Sequence, residues 1–146
     1  MRPATPDDVA DIATLIRDLA EYEKLSHEIE WTSTDALAEH LFGPQPSASV
    51  LMATTEAGAV AGFALWFTTY STFLAQPGIW LEDLFVRPQF RGIGLGKDLF
   101  TTLMGMTPGR LEWAVLDWNE PSIRFYESLG AQPVEGWTRY RWVASP

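Results

Sequence analysis

The chain contains no cysteine, which excludes disulfides, thiolate metal sites and a cysteine nucleophile. Histidine is scarce: His27 and His40 stand thirteen residues apart with no carboxylates at ligand spacing, so no metal site is expected. Positive charge is scarce too. Ten Lys and Arg face nineteen Asp and Glu, a net charge of −9. Such a surface repels nucleic acid, whose binding is driven by basic side chains that displace counterions. It attracts cationic ligands, although acidity also serves solubility alone. No apolar run approaches the roughly 18–20 residues of a membrane helix. The N-terminal MRPATPDD lacks the basic-then-apolar order of a signal peptide. A cytoplasmic protein with no nucleic-acid or membrane partner is expected.

What is present is apolar and aromatic. Of 146 residues, 47% are hydrophobic and seven are Trp, enough for one domain with a real core. Pro6–Lys24 reads as a helix, with Thr5 as N-cap, Asp8 three residues on, and a stripe of Val9, Ile12, Ala13, Ile16, Leu19 and Ala20. A short helix is expected over Thr34–Phe42, closed by Gly43-Pro44. Strands are expected over Ser49–Thr55 and Ala59–Thr69, joined by a Glu56-Ala57-Gly58 hairpin, and over Ile79–Val86. A helix over Leu95–Met106, a strand over Arg110–Leu116 and a helix over Pro121–Leu129, ended by Gly130, follow. An aromatic strand over Val134–Val143 completes the order. Only Met1 and Arg2 precede Pro3, so a first strand is either very short or begins upstream of this sequence. The order implies an α/β fold, with a mixed central sheet flanked by helices in a single domain.

One loop asks for an anion. RGIGLG, in the stretch Arg87–Phe100, follows a strand and opens a helix. A P-loop needs glycine at position 91 and Ser or Thr at 98, where Arg91 and Asp98 stand. A dinucleotide fingerprint needs a third glycine at 97 or 99, where Lys97 and Leu99 stand. The pattern [QR]-x-x-G-x-[GA] does fit, through Arg91, Gly94 and Gly96. Small residues let backbone N–H groups approach a pyrophosphate at the positive end of a helix. Glycines serving only a strand-to-helix turn remain the alternative.

This loop resembles the acetyl-CoA pyrophosphate motif of the GNAT superfamily of N-acetyltransferases. RPAT, LAEYEKL at Leu19–Leu25, WLEDLFV at Trp80–Val86, RGIGLG and DWNEPSIRFYESLGA at Asp117–Ala131 also stand in the order and spacing of the spermidine/spermine (diamine) and thialysine N-acetyltransferases. The likeness runs from Arg2 to about Trp142. It implies the GNAT fold over residues 1–146, acetyl-CoA as donor, a small cationic amine as acceptor and a homodimer. Direct attack in a ternary complex needs no enzyme nucleophile, which suits the missing cysteine.

Residue by residue, the resemblance implies a cofactor site from Leu84, Phe85 and Val86, through their backbone at a strand bulge, and from Arg91, Gly92, Ile93, Gly94, Leu95, Gly96 and Lys97. Asn119, Ser122 and Tyr126 complete it. Tyr126 is the implied acid for the leaving thiolate; on residues alone a tyrosine packed beside Phe125 is the default reading. Glu82 is the implied base, acting through a water. Glu82 and Asp83 are adjacent in a strand, so their side chains are expected to diverge, with a solvated acidic segment as the plain alternative. Tyr22 and Glu23, with Glu82 and Asp83, line the implied amine pocket, although a charged helix end is the default reading of Glu21-Tyr22-Glu23. Asn119 is also a good N-cap with Pro121 in the first turn. Trp137, Tyr140 and Trp142 read as a packed or dimer-contacting strand. The amine stays open among polyamines, thialysine, amino acids, aminoglycosides and protein N-termini, and a non-catalytic acyl-CoA sensor remains a rival.

Overall fold

The computed structural model describes residues 1–144. They form two compact units, Met1–Ala114 and a second that starts at Val115.

The first unit is built on a five-stranded sheet in the order β1-β2-β3-β4-β5. β1 is only Arg2–Pro3, β2 is Ser49–Thr54, β3 is Val60–Ser71, β4 is Gln76–Val86 and β5 is Leu111–Glu112. The first four pair antiparallel and β5 joins β4 in parallel, so the sheet is mixed, as expected. The very short first strand is held from its side chain. Arg2 places Nη1 and Nη2 on the two Asp8 carboxylate oxygens at 2.7 Å each. Asp8 also accepts from the Thr5 backbone N–H at 2.7 Å. The Arg2 guanidinium, with help from Thr5 and against the cost of burial, holds the Asp8 carboxyl well below the usual carboxylate range.

Helix α1 covers Val9–Tyr22 after a 3-10 turn at Pro6–Asp8, and α2 covers Asp35–Phe42. The apolar stripe of α1 explains its docking. Ile12, Leu15 and Leu19 pack with Leu41, Val50, Met52, Phe63, Leu65 and Phe85 in one core on one face of the sheet. Each such fully buried side chain contributes roughly 2 kcal/mol. Helix α3, Leu95–Met106, buries Leu99, Phe100 and Leu103 outside that core. Strand residues of the opposite parity, among them Ala64 and Leu81, are also buried and supply the other face of the sheet.

The second unit carries α4, Glu120–Ser128. Its cap matches the sequence: Asn119 Oδ1 accepts from the Ser122 N–H at 3.4 Å. Gly130 ends it with φ +90°, the left-handed geometry that favours glycine.

Two expectations fail. The strand expected over Arg110–Leu116 shrinks to Leu111–Glu112, because its parallel ladder meets only Ile79 and Trp80, just short of an irregularity in β4. The strand expected over Val134–Val143 is not formed. Aromatic and β-branched residues favour strands only where a ladder accepts them, and this segment has none among the described residues. Trp137, Tyr140 and Trp142 are not packed but exposed at 79%, 89% and 85%. Among the described residues no helix is long and apolar enough to cross a membrane.

Candidate active site

The irregularity in β4 shapes the site. Leu65 pairs with Asp83 and Trp66 with Leu81, so Glu82 is an extra residue facing β3. Such a bulge breaks the alternation of side chains. Asp83 shares the face of Leu65 and Phe85, the α1 side, whereas Leu81 shares that of Trp66. Trp80, paired with Phe67, is on the α1 side as well, and its indole Nε1 donates to Glu82 Oε2 at 2.8 Å. Glu82 and Asp83 therefore converge on one face. This corrects the expectation that adjacent carboxylates diverge, which holds only for an unbulged strand.

The electrostatics follow. Asp83 is half-buried, and its carboxyl is pushed up to about 7, first by burial and then by the charges of Glu82 and Glu23. Glu23 caps the C-terminus of α1, and burial raises its carboxyl too. Glu82 and Glu23 thus both act on Asp83, beside Tyr22, whose ring lies 6.4 Å from that of Phe85. All four sequence-derived pocket residues, Tyr22, Glu23, Glu82 and Asp83, belong to this side of the sheet.

Beyond the bulge, Leu84, Phe85 and Val86 pair with β3 alone, because the β5 ladder stops at Trp80. Among the described residues, one edge of this stretch lacks a strand neighbour, which suits an extended ligand. The Val86 carbonyl already accepts from Arg91 Nε at 2.7 Å. The bulge expected in this strand is present, at Glu82.

After a 3-10 turn at Pro88–Phe90, the loop Arg91–Gly94 enters α3. Gly92 and Gly94 have φ +81° and +92°, and Gly94 is the N-cap. Among the described residues, a Cβ at either would meet nothing beyond its chain neighbours within 4 Å. Their need for glycine is conformational, and the space beside them is open to a ligand. Leu95, Gly96 and Lys97 form the first turn of α3, whose leading N–H groups have no carbonyl of their own helix to bond. Gly96 thus serves as a small helical residue rather than a turn. Ile93 is exposed at the loop tip.

In the second unit, Asn119, Ser122 and Tyr126 stand at i, i+3 and i+7, one stripe along α4. Asn119 is buried, and the Tyr126 ring meets Phe125 edge-on with centroids 5.1 Å apart.

The model of the acetyltransferase (GNAT) family matches residues 13–131. The chain belongs to the GNAT acetyltransferase family. Among GNAT relatives, it is 36% identical to the thialysine N-epsilon-acetyltransferase of Mus musculus, over 97% of this chain and 90% of that one. It is 32% identical to the L-ornithine N5-acetyltransferase of Arabidopsis thaliana, over 94% and 81%. A GNAT-type fold recurs in an aminoglycoside acetyltransferase from an uncultured soil metagenomic sample, with TM-score 0.78 at 16% identity over 99% and 95% of the two chains. The GNAT reading of fold and subfamily made from the sequence is thus supported, and the chain is an acyltransferase of the N-acetyltransferase class. Sequence reasoning missed two parts of this GNAT site. Trp80 as donor to Glu82 had a signal, an indole two residues away in a strand. The convergence of the two acids had none, although a bulge in this strand was expected.

Proposed function

We propose that residues 1–146 form one acetyl-CoA-dependent N-acetyltransferase domain that acetylates a primary amine of a small cationic substrate by direct attack in a ternary complex. The observation that carries this reading is the convergence of Glu82 and Asp83, with Glu23, at the bulge of β4 in a chain of the acetyltransferase family. Clustered carboxylates draw in a substrate ammonium.

An alkyl ammonium has a pKa near ~10.4 and must lose a proton before it can attack. Glu82, exposed on the strand, accepts that proton through a water. Asp83 exchanges protons near neutrality and limits the negative charge the cluster carries. Tyr126 donates its phenolic proton to the departing thiolate sulfur and recovers one from solvent. The amine nitrogen gains the acetyl group and gives up its second proton to solvent, the sulfur gains a proton, one proton is released overall and no covalent enzyme intermediate forms. When bound, acetyl-CoA supplies the thioester carbonyl that is attacked. The open edge of Leu84–Val86 and the backbone N–H groups of the loop Arg91–Lys97 would hold it, and the resemblance adds Asn119 and Ser122 of the second unit. The two glycines with open space beside them fit that assignment.

Thialysine and ornithine, named for two relatives, each carry a side-chain amine and a second amine. We place the substrate in that class, with diamines and polyamines beside them. On the likeness to the subfamily, we take the working form to be a cytoplasmic homodimer. Mass spectrometry of such amines after incubation with acetyl-CoA tests the reading, with the intact enzyme as control. The reading expects an acetylated amine and an unmodified enzyme; an acetyl-enzyme formed in the absence of amine overturns direct attack.

A further inference from the structure

Arg91 opens the glycine loop, where a charge for phosphate is expected, yet its guanidinium is engaged with the strand and helix of the amine side. Nε donates to the Val86 carbonyl at 2.7 Å. The guanidinium carbon lies 4.9 Å from the centre of the Tyr22 ring and 5.5 Å from that of Phe85. The two rings are tilted by 50° to each other, and the guanidinium carbon lies within cation–π reach of both centres while the Val86 carbonyl fixes its position. Tyr22 is the last residue of α1 and Glu23 is its C-cap. A cation at that point also suits the negative end of the helix.

We propose that Arg91 is a positioning residue for the amine pocket: it pins Tyr22, and with it the turn that carries Glu23, against Phe85 of β4. The first residue of the phosphate-type loop thereby serves amine recognition. This rests on the functional reading above, in which Tyr22 and Glu23 line the amine site. A lysine keeps the charge but its single ammonium cannot donate to the Val86 carbonyl and also present a delocalised cation to the rings.

The test compares Arg91→Lys, Tyr22→Leu and the double variant in three measurements: amine KM at saturating acetyl-CoA, CoA affinity by calorimetry, and urea unfolding. Arg91→Lys is expected to raise amine KM about two- to fivefold, the size of a partly exposed cation–π contact, and to leave CoA affinity within about twofold. Tyr22→Leu is expected to raise amine KM, and the double variant to match it, in KM and in unfolding, because the pinned ring is already gone. Weakened CoA binding with unchanged amine KM overturns the proposal and returns Arg91 to phosphate. Additive effects of the two substitutions overturn it as well. A wild type that acetylates no amine sinks the functional reading instead, and the unfolding cycle then decides the Arg91–Tyr22 link alone: coupling sustains it and additivity overturns it.

Discussion

Replacing Asp83 with Asn exchanges a half-buried carboxylate, crowded by Glu82 and Glu23, for a neutral group of the same shape. The carboxyl moves from an ordinary 3.8 to about 7, a change worth about 4 kcal/mol. The folded state holds this proton more tightly than the unfolded chain does. Its contribution to stability is therefore complete below about pH 3.8 and is lost as pH rises through about 7. Asn loses nothing over that window. Asp83→Asn should then be more stable than the wild type by up to about 4 kcal/mol at pH 8, by less than half of that at pH 5, and by almost nothing near pH 3.8. Urea unfolding followed by tryptophan fluorescence at these values measures the gap, and adding Glu82→Gln should narrow it at pH 8. A gap independent of pH, or an Asn variant weaker than the wild type at pH 8, refutes the crowding argument. The same variant should lose activity, since the strain belongs to a site where charge is needed.

Three further outcomes follow from particular contacts. Tyr126→Phe should lower turnover by about a hundredfold, the lower end of general-acid effects, with little change in CoA affinity by calorimetry; an unaltered rate removes Tyr126 from the acid role. Gly94→Val puts a β-branched residue at φ +92°, which should cost about 1–2 kcal/mol in chemical unfolding and abolish CoA binding, and intact binding refutes the loop assignment. Asp8→Asn should destabilise the first unit by about 1–2 kcal/mol at neutral pH by weakening the Arg2 and Thr5 bonds. The Asp8 carboxyl is depressed in the folded state, so that loss should fade as pH falls below about 3.8; a loss that persists in acid contradicts it.

Much of the architecture was legible because it depends on local pattern. The stripe that includes Ile12, Ile16 and Leu19 has one period and one place to go, and α1 docks there, with Leu15 buried beside it. Gly43, Gly94 and Gly130 punctuate helices where a sequence reader would put them. The Asn119 cap was legible for the same reason. What failed depends on partners distant in sequence. The convergence of Glu82 and Asp83 is set by the pairing of Leu65 and Trp66 with β4, and no residue type near Glu82 announces a bulge. Val134–Val143 has strand composition but no ladder among the described residues. The candidate site was read as a set of residues more readily than as an arrangement. Its members in the first unit lie on the expected elements, while the side each carboxylate faces required the register.

The central claim is acetyl transfer to a cationic amine, and thiol release from acetyl-CoA tests it most directly. The measurement pairs CoA calorimetry with a thiol-release assay over thialysine, ornithine, lysine, diamines, spermidine, an aminoglycoside and neutral analogues of each. The account predicts CoA binding together with amine-dependent thiol release, strongest for small amines that carry a second positive charge. CoA binding with no thiol release for any amine would contradict it and leave a sensor in place of an enzyme.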